Sequence, residues 1–240
     1  MKKLLFTNSS NAEINVYADK SASILEWLLI NGMERKIFSI SEVLRDIGVS
    51  IGLIQKVFKQ LIFHGYLKTE GFGTSKRFIL SKPKALLDSW TESYNITKKC
   101  KMLSYTSAYR GRKELFEVLK KSGLTEQVVA ALHSASDLHK CSNSTLETLE
   151  LYVPDMKNKP MIEKALRLEP QNRGYDVLLI EPYYKHMVRS CLQSEKQLHQ
   201  TRPILTYLDL FHFPLRGIEQ AEYLAENVDE VKRIISRTGS

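Results

Sequence analysis

The spacing of apolar side chains in the first third of the chain predicts three helices. Residues 21–31 carry isoleucine and leucine on one stripe, at the period of an amphipathic helix. A short second helix runs from Ser39 to about Asp46, because Ser39 and Glu42 have the spacing of a capping box. A longer third helix spans about 51–64 and places its apolar residues at three- and four-residue steps.

The turn before the third helix and the segment after it complete a known unit. Gly48 permits a tight turn, and Ser50 is placed to cap the third helix. Beyond that helix, "YLKT" and "KRFIL" are short strand-like runs joined by the glycine-containing loop "EGFGTS", which is the pattern of a β-hairpin. Helix, helix-turn-helix and hairpin wing in this order predict a winged helix-turn-helix domain over residues 1–94.

The rest of the chain alternates between helical and strand periods. Residues 95–144 predict a basic helical connector, with helices at about 112–121 and 125–138. The pattern further on predicts strands at 145–153 and 175–182, helices at 159–170 and 218–235, and an apolar run at 203–211 that begins as helix or strand. We therefore predict an α/β domain over 145–240 and a mixed α+β class for the whole chain.

The distribution of charge suggests a polyanionic partner. The 35 Lys+Arg and 27 Asp+Glu side chains give a net charge of +8, and none of this excess lies in residues 161–240. A lysine or arginine that meets a phosphate releases condensed counterions, so a one-sided basic surface suits nucleic acid. No apolar run reaches the roughly 18 residues of a membrane span. With three widely separated cysteines, the chain is expected to be cytoplasmic and to have no membrane contact.

The outward positions of the third helix are the candidate DNA contacts. In a helix-turn-helix the second helix of the pair enters the major groove, where glutamine can pair with adenine and lysine can reach guanine or phosphate. A glycine on that face lets the backbone approach closely. The candidates on this helix and on the wing are Ser50, Gly52, Gln55, Lys56, Lys59, Gln60, Lys76 and Arg77. The alternative is an ordinary solvated face on a winged helix that binds protein.

The stretch from 95 to 123 is strongly basic and includes Tyr105 and Tyr109. Basic residues interleaved with aromatic ones can hold phosphates and stack bases. A solvated connector with the tyrosines packed beneath it is the favoured arrangement. Arg110 and Arg112 are additional candidates for contact with the DNA backbone.

Two motifs near the ends of the later region carry a family resemblance. The first, over 83–94, reads P-x-x-LLD-x-W-x-x-x-Y, and the second, over 203–224, reads P-x-x-x-YLDL-x-x-x-P-x-RG-x-E-x-AE-x-L. Both resemble motifs of the AbiEi-like antitoxins of type IV toxin–antitoxin systems and of related stand-alone regulators. The resemblance covers roughly residues 20–240, and the first 20 residues have no counterpart in it.

The resemblance implies a DNA-binding transcriptional regulator that represses its own operon. The implied partners are duplex DNA and a nucleotidyltransferase-type toxin, and the C-terminal domain would supply homodimer contacts, a second DNA contact or toxin neutralisation. Arg216 would then face either a partner or Asp209. A stand-alone regulator without a toxin remains the alternative. The first motif is expected to dock a helix onto the winged helix through Leu86, Leu87, Trp90 and Tyr94.

Enzymatic functions fit the sequence less well. Asp155, Glu163 and Lys164 loosely resemble the acids and lysine of a metal-dependent nuclease, which stays open as an alternative. However, Lys164 directly follows Glu163, whereas such a lysine should stand two residues after the acid. No Gly-Ser pair precedes paired aspartates, as a nucleotidyltransferase requires, and there is no phosphate-binding or dinucleotide glycine motif. We expect no catalytic residues, no cofactor and no metal.

Overall fold

The N-terminal helices form where the apolar pattern predicts them. The structure is a computed structural model that describes residues 14–192 and 198–237. Its first helices are α1 (Asp19–Trp27), α2 (Ile40–Ile47) and α3 (Ile51–Phe63). A π-type turn at Leu28–Gly32 and one further helical turn at Met33–Arg35 prolong α1.

The local signals between these helices act as predicted. The backbone N–H of Ser39 donates to Glu42 Oε2 at 2.7 Å, and the N–H of Glu42 donates to Ser39 Oγ at 3.4 Å, which completes the capping box. Gly48 ends α2 with a φ of 65°, in the left-handed region that glycine adopts without strain. The hydroxyl of Ser50 accepts from the backbone N–H of Leu53 at 3.3 Å and caps α3.

A two-stranded antiparallel hairpin follows α3. Its strands are β1 (Leu67–Glu70) and β2 (Arg77–Leu80), with Leu67 opposite Leu80 and Glu70 opposite Arg77. Phe38, just before α2, pairs with Phe78 of β2 through two backbone hydrogen bonds. These bonds and the packing of the aromatic rings hold the hairpin against the helices.

A mixed five-stranded sheet forms the other half of the molecule. Its strands are β3 (Lys101–Ser107), β4 (Val129–Ala130), β5 (Leu149–Tyr152), β6 (Leu168–Pro170) and β7 (Val177–Glu181). Their order across the sheet is β4-β5-β7-β3-β6. Strands β5 and β7 run parallel, and the remaining neighbours are antiparallel. Strand β7 is buried on both faces, as its continuous apolar run predicts.

The prediction of a helical connector over 95–144 is wrong for part of that region. Residues Lys101–Ser107 form β3, which lies between β7 and β6 in the sheet. The basic residues on either side of "MLSYTS" hide a run rich in strand-forming side chains. Helix α4 (Pro83–Ser93) precedes this region, and the helices within it are α5 (Ile96–Lys99), α6 (Gly111–Lys121) and α7 (Leu132–Leu138).

The C-terminal helices differ from the pattern in two places. The predicted helix over 159–170 ends at Ala165 and is followed by β6, because the chain reverses at Arg167 with a positive φ of 48°. The predicted long helix over 218–235 is divided at Val228, whose backbone is extended. The apolar run at 203–211 is helical. These helices are α8 (Lys159–Ala165), α9 (Lys185–Cys191), α10 (Pro203–Phe211), α11 (Gly217–Asn227) and α12 (Asp229–Ser236).

The hydrophobic core runs from the N-terminal helices into the C-terminal ones. One cluster joins α1, α3, α4, one face of the sheet and α10 to α12, and a second cluster covers the opposite face of the sheet. Alternate residues of β7 contribute to each cluster, as the pleat of a strand requires. Among the described helices, none is long and apolar enough to cross a membrane. The architecture is mixed α+β, as predicted.

Candidate nucleic-acid interface

Helix α3 has one buried face and one exposed polar face. Its apolar residues Ile54, Val57, Phe58 and Leu61 lie in the core. The intervening side chains of Gln55, Lys56 and Lys59 are exposed. The helical period therefore directs the amide and both ammonium groups to the surface of the molecule.

The predicted contact residues at the two ends of α3, Gly52 and Gln60, lie in different surroundings. Gly52 lies in its first turn, and a Cβ added there would meet no atom within 4 Å. The packing of the described chain therefore does not require glycine at this position. Gln60, nearer the C-terminal end, is half-buried and lines a separate cleft with Tyr17 and Tyr66. The structure does not bring Gln60 together with Gln55 and Lys59.

The hairpin and α3 enclose a cleft of about 570 Å³. Gln55 and Lys59 line it from α3, and Lys76 and Arg77 line it from the hairpin. Ser39 and Ser41, at the start of α2, also line the cleft, although the sequence indicated Ser39 only as a cap. Four of the predicted DNA-contacting residues thus share one concave surface.

The charge of this surface is not neutralised by neighbouring acids. Residues 50–80 contain five lysines and arginines but a single acid, Glu70. Within 14–192 and 198–237, the salt bridges engage other cations, and none involves Lys56, Lys59, Lys76 or Arg77. The cleft and its rim are therefore strongly electropositive.

The structure separates the two arginines predicted to add a backbone contact. Arg110 is exposed just before α6, and its backbone N–H donates to Glu114 Oε2 at 2.7 Å. Arg112 is buried, with Nε donating to the carbonyl of Thr148 at 2.7 Å and Nη1 lying 3.4 Å from Asp137. A side chain held inside the protein in this way cannot reach a phosphate, so the prediction for Arg112 is wrong.

Arg216 is at an exposed corner between α10 and α11. Its Nε donates to Glu219 Oε2 at 2.9 Å, and its backbone adopts a left-handed φ of 50°. A Cβ on the next residue, Gly217, would lie 2.3 Å from the carbonyl oxygen of Leu210, so the corner tolerates only glycine there. Arg216 pairs with Glu219 and not with Asp209.

Asp209 lies in a buried cluster of hydroxyl groups. Its Oδ1 accepts from the hydroxyl of Tyr94 at 2.8 Å and from that of Tyr152 at 2.9 Å. Burial raises the pKa of the Asp209 carboxyl to about 7, although the two hydroxyl donors favour its ionised form. Burial and the nearby carboxylate also raise the pKa of both tyrosines. The thiol of Cys100 is next to the cluster, and burial raises its pKa to about 11.

The first motif also packs differently from our expectation. Its apolar residues belong to the shared core, but Trp90 Nε1 donates to the hydroxyl of Tyr184 at 2.8 Å, and Tyr94 binds Asp209. Both partners belong to the C-terminal half. Helix α4 thus joins the two halves of the molecule instead of docking only onto the N-terminal helices.

The acids considered for a nuclease have structural contacts. Asp155 Oδ1 accepts from the N–H of Lys157 at 3.0 Å and caps a short turn. Glu163 Oε1 accepts from the hydroxyl of Tyr105 at 2.7 Å and from Lys159 Nζ at 2.5 Å. The Tyr105 bond holds α8 against β3, and the Lys159 bond lies within α8. In the described part of the chain, no three His, Cys, Asp or Glu side chains converge in a way that could hold a metal ion.

Comparison with known proteins places this architecture in a family. A family model described as transcriptional regulator, AbiEi antitoxin, type IV toxin–antitoxin system matches residues 79–229, a span that contains both motifs. The match leaves α1, α2 and α3 outside. No curated protein and no solved structure matches the chain. The chain therefore belongs to the family of AbiEi antitoxins, the transcriptional regulators of type IV toxin–antitoxin systems.

Proposed function

We propose that the chain binds duplex DNA through α3 and the hairpin, and that it represses its own operon in the cytoplasm. The observation that carries the proposal is the shared cleft of Gln55, Lys59, Lys76 and Arg77, whose charges no described acid neutralises. The order of helices, turn and hairpin is that of a winged helix, which supports placing α3 in the major groove.

In this arrangement each exposed group has a distinct role. Gln55 offers the amide pair that matches the major-groove edge of adenine. Lys56 and Lys59 contact guanine or phosphate, and Lys76 and Arg77 contact the phosphates of the strand that passes between α3 and the hairpin. Ser50 and Gly52 allow the start of α3 to approach the DNA backbone. Arg110 would add a phosphate contact outside this surface.

The region matched by the family model supports an additional partner. It begins after α3 and includes the exposed corner of Arg216 and Ile218, both of which are about half exposed. We place toxin recognition on this half of the molecule, with a nucleotidyltransferase-type toxin as the partner that the family resemblance implies. The proposal also includes a homodimer, because two copies can bind a two-fold symmetric operator.

An electrophoretic shift experiment tests the DNA-binding proposal. The full chain is titrated into the duplex that lies upstream of its own gene and, separately, into an unrelated duplex of the same length. Repression of its own operon predicts a shift of the upstream duplex at concentrations at least tenfold lower than those needed for the unrelated one. Equal shifts would refute autoregulation, and the absence of any shift at low salt would refute DNA binding.

A further inference from the structure

The tip of the hairpin holds an aromatic ring away from the protein. Phe72 is 92% exposed, whereas Phe38, Phe58 and Phe78 of the same region are buried. A phenylalanine in this position adds nothing to the core. The sequence contained one signal of it, since Phe72 is the only large apolar residue in the loop "EGFGTS".

The backbone of the tip is tightly folded around this side chain. The carbonyl oxygen of Phe72 accepts from both the N–H and the hydroxyl of Ser75, at 3.2 and 2.8 Å. Gly71 and Gly73 on either side adopt positive φ angles of 74° and 57°. A Cβ at Gly71 would lie 3.0 Å from the Ser75 carbonyl oxygen, so this glycine permits the close turn. The loop therefore presents the ring outward on a defined turn.

The charges around the ring favour a polyanion as its partner. Lys68, Lys76 and Arg77 are exposed on the same hairpin, against the single acid Glu70 opposite Arg77. An apolar ring surrounded by cations fits a partner that combines stacked aromatic surfaces with a phosphate backbone. Duplex DNA has both, since its bases offer faces for stacking and its phosphates attract lysine and arginine.

The position of the tip follows from the proposed binding of α3. If α3 lies in the major groove, the phosphate strand that borders this groove passes through the cleft lined by Lys59, Lys76 and Arg77. In a duplex, the groove on the other side of that strand is the minor groove. The tip of the hairpin extends past Lys76 and Arg77, so in this arrangement it meets the duplex at the minor groove.

We infer that Phe72 is an apolar wedge that enters the minor groove and partly unstacks one base step beside the site read by α3. Such wedges kink the duplex toward the major groove. Pyrimidine–purine steps such as TA and CA unstack most readily, so Phe72 gives the protein a preference for such a step without a hydrogen bond to any base. This inference rests on the proposed DNA binding.

The test uses the full chain and duplexes cut from the DNA upstream of its own gene. After footprinting locates the bound segment, 2-aminopurine is placed at successive steps along it, and donor and acceptor dyes at the duplex ends report bending. Wild type is expected to raise the 2-aminopurine fluorescence at one step and to shorten the distance between the ends. Phe72→Ala should abolish both signals and weaken binding about tenfold, the range expected for loss of one base–aromatic stack.

Two variants control for side effects. Phe63→Ala removes another aromatic ring that is 80% exposed but lies at the end of α3, and it should leave both signals unchanged. Phe72→Leu replaces the ring by another apolar wedge and should restore most of the bending. Because Phe72 lies outside the core, its variants should unfold at the wild-type temperature.

The outcomes separate the wedge from the proposed function. If wild type binds its upstream duplex but 2-aminopurine stays quenched at every step, or brightens equally with Phe72→Ala, the wedge is refuted while DNA binding stands. If Phe72→Ala keeps the DNA signals but loses self-association or toxin binding, the ring is a protein contact and the inference is also refuted. If wild type binds no duplex, the proposed function fails together with the wedge.

Discussion

The hydroxyl of Tyr94 donates to the carboxylate of Asp209 at 2.8 Å, across 115 residues of sequence. Tyr94 closes the first family motif at the end of α4, and Asp209 is in the second motif on α10. Tyr152 of β5 donates to the same oxygen. The two motifs thus meet in one buried polar junction. Its hydrogen bonds fix the end of α4, strand β5 and helix α10 relative to one another.

Replacement of Asp209 by asparagine tests this junction through pH. The pKa of the Asp209 carboxyl is raised from 3.8 to about 7, so the folded state holds a proton that the unfolded state releases above pH 4. As the pH rises from about 4 to 7, the free energy of unfolding of wild type should therefore fall relative to that of Asp209→Asn. The fall should be at most roughly 1.4 kcal/mol for each pH unit. Urea denaturation at several pH values measures this difference, and parallel pH profiles for the two proteins would contradict it.

A second prediction concerns the contribution of the Glu26–Arg202 ion pair to stability. Glu26 is buried on α1, and Arg202 Nη1 donates to its Oε2 at 2.8 Å from the residue before α10. Burial raises the pKa of Glu26, and Arg202 opposes that shift. Arg202→Met should lower the free energy of unfolding, since it leaves a buried carboxyl without its partner, but by less than the roughly 3 kcal/mol of a fully buried pair, because the Arg202 side chain is half exposed and screened by solvent.

A double variant separates loss of the pair from loss of packing. Arg202→Met combined with Glu26→Leu should recover most of the stability, because the apolar side chain at position 26 removes the buried carboxyl that Arg202→Met leaves unpaired. Denaturant unfolding of the three variants supplies the comparison. A double variant no more stable than Arg202→Met alone would show that the unpaired Glu26 carboxyl is not the source of the loss.

Gly52→Ala should affect the fold and DNA binding in opposite directions. The added Cβ meets no protein atom within 4 Å, and alanine is the better helix former, so the free energy of unfolding should rise by about 0.5–1 kcal/mol. If the backbone of α3 approaches DNA closely, the same methyl group should weaken binding to the upstream duplex. A variant that is more stable and binds as tightly as wild type would exclude close approach at this position.

Two variants at the corner of Arg216 test whether this residue contacts the toxin or has a structural role. Arg216→Gly removes only an exposed pair with Glu219 and relieves a left-handed backbone, so the melting temperature should not fall. Gly217→Ala should be destabilising, because its Cβ would lie 2.3 Å from the Leu210 carbonyl oxygen. Pull-down of the toxin by the folded Arg216→Gly variant then reports the contact directly. Undiminished capture would show that Arg216 is not part of the surface that binds the toxin.

The sequence predicted elements with local signals more successfully than contacts between distant residues. Gly48, Ser50 and the capping box at Ser39 act within a few residues, so α2, α3 and the hairpin could be located in advance. The burial of Arg112 depends on Thr148 and Asp137, which the fold brings to it from elsewhere in the chain. No local pattern contains that information.

The same distinction applies to the candidate interface and to the junction. The helical period placed Gln55 and Lys59 on one exposed face, but Gln60 faces another cleft because the turn of the helix carries it away. The tyrosine partners of Asp209 come from β5 and from the residue that follows α4, and they could not be inferred from the motif around Asp209. The family resemblance identified both motifs without showing that they touch.

The salt dependence of DNA binding by Lys56→Ala/Lys59→Ala tests whether α3 is the helix that binds DNA. Each lysine that meets a phosphate releases counterions, so the slope of log affinity against log salt should become shallower by about 2 for the pair, together with weaker binding. The matched control, Lys121→Ala/Lys232→Ala, removes the same charge from exposed sites on α6 and α12 and should keep the wild-type slope. If the Lys56/Lys59 variant binds its upstream duplex with wild-type affinity and slope, α3 is not the DNA-binding helix.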